Sequence, residues 1–161
     1  CHGILIGKET AKTDNPLLNT RYYPGPSPIK IVMDRNLELD PQLRLFAEGE
    51  VIVVNEKKQE TSGRVKYVKV NSTYHWPEVM DKLYENQIYS VLVEGGSKIL
   101  NSLIASGWWN EARILRTQEL LKNQLETQDW ITAPDIAGKL IKQIDIEDGC
   151  KAIYIENKVQ G

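Results

Sequence analysis

Residues 89–102 read Tyr89-Ser90-Val91-Leu92-Val93-Glu94-Gly95-Gly96-Ser97-Lys98-Ile99-Leu100-Asn101-Ser102, or YSVLVEGGSKILNS. An apolar run stops in a carboxylate, two glycines and a serine, and a helical pattern starts at once. Ser90 to Val93 is expected to be a buried strand, continuously apolar as strands covered on both faces are. Gly96 to Ser106 places Ile99, Leu100, Leu103 and Ile104 at helical spacing, and Gly107 stops the pattern. A strand running straight into a helix is the repeating unit of an α/β fold. In open α/β sheets, ligands sit beyond the carboxyl ends of the strands. A strand–helix turn there aims backbone N–H groups and a positive helix end at a ligand, which favours phosphate. Gly95 and Gly96 lack Cβ, so a phosphate can approach the backbone closely. Ser97 can cap the helix or donate to a phosphate oxygen. The plainer reading is a tight turn with a capping serine. The stretch is neither GxGxxG nor a P-loop.

Outward from this turn, further strands alternate with helices. Apolar runs at His2–Ile6, Ile29–Met33 and Val51–Val54 read as covered strands. Val65–Val70 alternates with period two, as a half-exposed strand does. Trp76–Asn86 carries Trp76, Val79, Met80, Leu83 and Tyr84 on one helical face. Lys8–Thr13 has room for one helical turn before Asp14-Asn15-Pro16 breaks it. Ala112–Leu115 and Lys151–Glu156 close the set, the last expected at a sheet edge. Gln118–Asp129 is polar and reads as loop or helix. The expected fold is α/β, with a central largely parallel or mixed sheet flanked by helices. Residues 1–161 are expected to form one domain.

Composition excludes several classes. The chain has 161 residues, 41% of them apolar and 26% charged, which suits a globular core. Net charge is −2 and the lysines are scattered, so no nucleic-acid footprint is expected. No apolar run is long enough to span a bilayer as a helix. Two cysteines, Cys1 and Cys150, and two histidines, His2 and His75, supply no zinc cluster, so no metal is expected. The sparse cysteines fit a reducing cytoplasm, although a Cys1–Cys150 disulfide is geometrically open. The chain enters its first strand at full stride from Cys1, which suggests a missing N-terminal piece.

A second stretch, Gly7 to Arg21, also follows a strand. It gathers a hydroxyl, a carboxylate, a proline turn and an arginine, and Arg21 can grip a phosphate bidentately. A turn-capping Asp14 and a surface ion pair for Arg21 are the plainer roles. Together, G-x-x-T-x-x-x-D-N-P-x-L-x-x-R and the later V-E-G-G-x-x-I resemble the pyrimidine reductases of riboflavin biosynthesis. That family is the C-terminal domain of a bifunctional deaminase–reductase, with a dihydrofolate-reductase-like fold. Pro28–Asp34, Leu45-Phe46 and Trp108–Ala112 are similar to further family stretches, and the resemblance runs from Cys1 to about Arg116.

The resemblance implies NADPH-dependent reduction of 5-amino-6-(5-phosphoribosylamino)uracil to its ribitylamino product. It implies cofactor contacts at Thr10 and Asp14 and along Gly95, Gly96, Ser97, Lys98, Ile99 and Leu100. Substrate contacts fall to Leu18, Arg21 and Glu94, with Arg21 on the ribose phosphate. Arg35 stands where the family often has Ser beside the cofactor. An arginine there either binds a 2′-phosphate or is a solvated strand end. Lys57 and Lys58 are weaker candidates for the same phosphate. The family's first strand, with its K-x-A-x-S-x-D-G motif, and the zinc-binding deaminase domain are absent from these residues, so no deaminase activity is expected. A homodimer is implied, for which Trp108-Trp109 is one candidate surface and core packing of those rings the other. The rival readings are a pterin or folate reductase on the same fold and a cofactor-binding fragment without turnover.

Overall fold

The computed structural model describes residues 1–22, 24–116, 134–146 and 150–157. They fall in two compact units, Cys1–Ser102 and Leu103–Gly161.

The first unit is built on a six-stranded sheet. Its strands are β1 (Gly3–Gly7), β2 (Ile29–Met33), β3 (Val51–Asn55), β4 (Glu60–Ser62), β5 (Val65–Lys69) and β6 (Val91–Val93). The spatial order is β4-β5-β3-β2-β1-β6. All neighbours are parallel except β4, which pairs antiparallel with β5. The central strands β1 and β3 are buried at every position and β2 at four of five, as apolar runs covered on both faces demand. Ile6, Ala11, Val32, Leu45, Val51 and Val53 form one core cluster, flanked by Leu18, Phe46 and Tyr67.

Lys30 interrupts that apolar pattern. It is 2% exposed, and its Nζ donates to the carbonyls of Leu45 and Glu48 at 3.1 and 2.7 Å. Burial lowers its pKa. The amine secures the 3-10 turn Arg44–Phe46 to the sheet.

Three helices accompany the sheet: α1 (Lys8–Asp14), α2 (Trp76–Glu85) and α3 (Ser97–Ser106). Helix α1 ends at Asn15 in the left-handed region (φ 41°), with the proline following. Helix α2 has proline in its first turn, where no N–H is needed, and buries Trp76, Val79 and Leu83. Tyr84, expected on that face, is 67% exposed and packs edge-on against Tyr89.

Two expectations need correction. Strand β6 is not covered throughout: Leu92 is 40% exposed, because β6 is the last strand of its sheet. In the second unit, β9 (Lys151–Glu156) is central rather than at an edge. It lies between β7 (Glu111–Arg116) and β8 (Lys139–Asp145), antiparallel to both. Asn157, 8% exposed, donates to the carbonyls of Gly107 and Trp109 and so fixes the turn before β7. The expectation for Gln118–Asp129 lies outside the described residues.

Candidate active site

Chain order and spatial order together locate a crevice. From β1 the chain steps to β2, β3 and β5 on one side of the sheet. Helix α2 then carries it back, so β6 joins β1 on the other side. The order reverses between β1 and β6, and a switch point of this kind opens a ligand crevice outside the carboxyl ends of those strands. The two segments leaving those ends are Lys8–Asp14 and Glu94–Ser97, the two stretches that carried the sequence motifs.

The structure brings them into contact. A Cβ built on Gly95 would lie 3.1 Å from Thr10 Cγ2, and one on Gly96 would lie 3.1 Å from Thr10 Oγ1. Gly96 has φ +75°, a backbone conformation that side chains strain. Gly96 is therefore favoured by its backbone conformation, a side chain at Gly95 would press on Thr10, and Thr10 forms one wall of the cradle. Helix α3 begins there: Leu100 N donates to Gly96 O at 3.1 Å. The amides of Ser97, Lys98 and Ile99 precede the first intrahelical bond, so the helix itself offers them no acceptor. Ile99 is buried, with Cγ1 3.0 Å from a Cβ position at Gly7, so it offers a ligand main chain only. Lys98 is exposed and Leu100 half-buried. A Cβ-free cradle joined to a run of helix-start amides is suited to a phosphate group.

Of the remaining candidates, Glu94 and Arg35 follow strands that end at this edge, whereas Arg21 is tied through Asn19 to Glu48, which precedes the amino end of β3. Glu94 is exposed, and its N–H bonds the carbonyl of Leu5 at 3.0 Å, continuing the pairing of β6 with β1. Asp14 is the exposed last residue of α1. Leu18 is half-buried and left-handed at φ 52°, rare for a leucine and a conformation that tends to occur at functional sites. Arg21 is exposed and its Nε donates to Asn19 Oδ1 at 3.3 Å; Asn19 in turn donates to Glu48.

Arg35 follows β2. Its Nε donates to Glu56 Oε2 at 2.8 Å while the side chain stays 62% exposed. The Glu56 carboxyl is held below the ordinary range first by the backbone N–H of Thr73, then by the Thr73 hydroxyl and Arg35, against the opposing effect of burial. Lys57 and Lys58 sit in a turn organised by buried Asn55, whose Oδ1 accepts both backbone amides. Lys58 Nζ is engaged by Glu60 and lies over the Tyr67 ring. Lys8, at the crevice, is paired with Glu38 at 2.7 Å, which raises its pKa.

Sequence reasoning missed Glu56, Thr73, Asn55 and Asp34. Asp34 is 1% exposed; one carboxylate oxygen accepts from Leu39 N, and the other is buried with no hydrogen bond among the described residues. The available signal was positional: Asp34 and Asn55 directly end apolar strands, where short polar side chains organise the turn. Thr73, far off in the chain, gave none.

A separate concavity of about 210 Å³, lined by Ile29, Glu50, Val51, Thr61 and Arg64, lies at the amino ends of β2 and β3, away from the crevice. Among the described residues, no helix is long and apolar enough to cross a membrane.

Residues 1–117 match the family model of the RibD C-terminal domain. The chain is similar to the riboflavin biosynthesis protein RibD of Aquifex aeolicus, 25% identical over 78% of this chain and 37% of the relative. It is also similar to the 2,5-diamino-6-ribosylamino-4(3H)-pyrimidinone 5′-phosphate reductase of the same organism, 31% identical over 60% of this chain and 48% of the relative. The chain thus spans less than half the length of these curated relatives. Among solved structures it resembles a Thermotoga maritima deaminase/5-amino-6-(5-phosphoribosylamino)uracil reductase, with TM-score 0.76 and 24% identity over 97% of this chain and 45% of that one. It likewise resembles the Saccharomyces cerevisiae riboflavin biosynthesis reductase Rib7, with TM-score 0.76 and 23% identity over 96% of this chain and 75% of that one.

Proposed function

From the premise that the chain belongs to the RibD C-terminal domain family, we propose that it reduces 5-amino-6-(5-phosphoribosylamino)uracil to the ribitylamino product, with NADPH as reductant. The observation that carries this reading is the cradle of Gly95 and Gly96 against Thr10 at the switch between β1 and β6. A nicotinamide cofactor, when bound, supplies the hydride that reduces C1′ of the ribosyl group. The chain's own residues hold and orient the reactants. The backbone from Gly95 to Leu100, with Ser97 and Lys98, receives the cofactor's phosphates. Thr10 and Asp14 orient its nearer groups. Arg35 receives a 2′-phosphate, the chemical difference between NADPH and NADH. Arg21 anchors the substrate's ribose phosphate, Leu18 packs on the substrate, and Glu94 accepts from its hydroxyl or amino groups. The reading places the protein in the cytoplasm, acting as a homodimer on a small phosphorylated pyrimidine.

A second reading has a specific observation behind it. The Aquifex relative at 31% identity is named for the 2,5-diamino-pyrimidinone phosphate, which still carries the amino group that the uracil form has lost. Both substrates present the same ribose phosphate, so Arg21 serves either. Steady-state kinetics on the two substrates separate the readings. Arg21→Ala tests the site itself: it is expected to raise the KM of the preferred substrate about ten-fold or more through loss of a charge-assisted pair. NADPH affinity is expected to stay within about two-fold. Equal losses for both ligands overturn the assignment of Arg21.

A further inference from the structure

The arginine after β2 is held by residues from two other segments of the same sheet edge. Arg35 Nε donates to Glu56 Oε2 at 2.8 Å, and Glu56 N donates to the Arg35 carbonyl at 3.0 Å. Glu56 thus binds Arg35 through both side chain and backbone. Glu56 is itself fixed. Its Oε1 accepts the Thr73 N–H at 2.8 Å and the Thr73 hydroxyl at 3.0 Å, and Thr73 is only 4% exposed. Arg35, Glu56 and Thr73 follow β2, β3 and β5, three adjacent parallel strands that end on one edge.

The Arg35–Glu56 pair itself contributes little to stability, because the arginine is 62% exposed. Its physical effect is on order. A free arginine gives up rotamer freedom when it closes on an anion, and one already held gives up less. With Nε taken, the two Nη groups remain as the fork that meets phosphate oxygens. The lysines nearby are less prepared: Lys58 is committed to Glu60 and the Tyr67 ring, and among the described residues nothing holds the exposed Lys57 side chain. Adjacent strands lie about 4.8 Å apart, so β3 is about 10 Å from β1. A dinucleotide with its diphosphate at the Gly95–Gly96 cradle extends over that distance.

We infer that Thr73 and Glu56 are positioning residues that set Arg35 to receive the ribose phosphomonoester of the dinucleotide, so that preference for the phosphorylated cofactor passes through this relay. The inference rests on the reading that the chain binds a nicotinamide dinucleotide. It also makes a prediction of unusual sign. Glu56 is an anion beside the phosphate site, so a count of charges alone says its removal strengthens NADPH binding. A positioning role says the opposite.

Tryptophan quenching by NADPH and by NADH, on the whole chain and four variants, tests this. Arg35→Gln is expected to weaken NADPH about ten-fold, the size of one lost charge-assisted interaction, with NADH within about two-fold. Glu56→Gln and Thr73→Val are expected to lower the NADPH:NADH preference several-fold, and Thr73→Ser, which keeps the hydroxyl, to retain it. A general structural defect moves both affinities together, so NADH binding reports on the integrity of the crevice in each variant. Unchanged or increased NADPH preference in Glu56→Gln overturns the positioning role while the dinucleotide reading stands. Unchanged preference in Arg35→Gln overturns Arg35 as the recogniser. If the unmodified chain binds neither cofactor, the dinucleotide reading falls and takes the inference with it.

Discussion

At Gly96 two requirements coincide, and they separate by comparison with Gly107. Both glycines have φ near +75°, at +75° and +73°. A Cβ at Gly96 meets Thr10 Oγ1 at 3.1 Å, whereas one at Gly107 meets none of the described residues within 4 Å. Alanine at either site is expected to cost about 1–2 kcal/mol of stability through backbone strain alone. Only Gly96→Ala also pushes on the Thr10 wall and narrows the cradle. Nucleotide affinity is therefore expected to fall about ten-fold or more in Gly96→Ala, equivalent to at least 1.4 kcal/mol, and to hold in Gly107→Ala. Thermal unfolding and cofactor titration on the two variants check this; parallel affinity losses show that strain, not the cradle, is responsible. Residue identity made Gly95 and Gly96 visible in the sequence. It said nothing of Lys30, which lies in an apolar run and is buried with its amine on two carbonyls 15 and 18 residues away. Such a partnership becomes visible only once the turn is folded over the sheet.

The strands β1, β2 and β3 were legible from apolar runs that are buried almost throughout, and β5 from its period-two alternation. Strand β4 is three exposed polar residues, Glu60–Ser62, and has no burial signal. Strand β8 was missed for a geometric reason. Its register shifts between Leu140 and Lys142, so Ile141 is an extra residue and the period-two pattern breaks. The helices were read from their apolar faces, but their coupling was not. Trp76 of α2 is 1% exposed, and its Nε1 donates to Ser102 Oγ of α3 at 2.9 Å. That bond joins the helix that carries the chain back across the sheet to the helix that starts at the cradle. Ser102→Ala leaves the buried indole N–H without its acceptor and is expected to cost about 1–3 kcal/mol. Trp76→Phe removes the donor together with packing and costs more. The double variant is expected to be more stable than the sum of the single losses implies, by about 1 kcal/mol. Denaturant midpoints measure the cycle, and strict additivity sinks the coupling.

At the scale of the whole molecule, what the chain exposes matters as much as what it buries. Net charge is only −2, so self-repulsion is weak. Strand β8 is the outer strand of the β7-β9-β8 sheet and is exposed at all seven positions. It presents Leu140, Ile141 and Ile144 at 58%, 49% and 42% exposure. An apolar edge strand of this length is a template for pairing with another chain. Antiparallel pairing of two copies about Lys142 sets Lys139 opposite Asp145 and Leu140 opposite Ile144. The central lysines are drawn from one another, since Lys142 Nζ lies 4.5 Å over the Tyr154 ring of its own sheet. The proposed homodimer therefore has a more specific candidate surface than the tryptophan pair, of which Trp108 is 41% exposed. Ile144→Lys puts a like charge and a hydrated ammonium on the pairing edge. Sedimentation velocity, at the concentration where the unmodified chain is half dimeric, is expected to find this variant monomeric and Trp108→Ala still half dimeric. The reverse result moves the interface to the tryptophans, and an unmodified chain that stays monomeric at every concentration removes the edge-pairing argument.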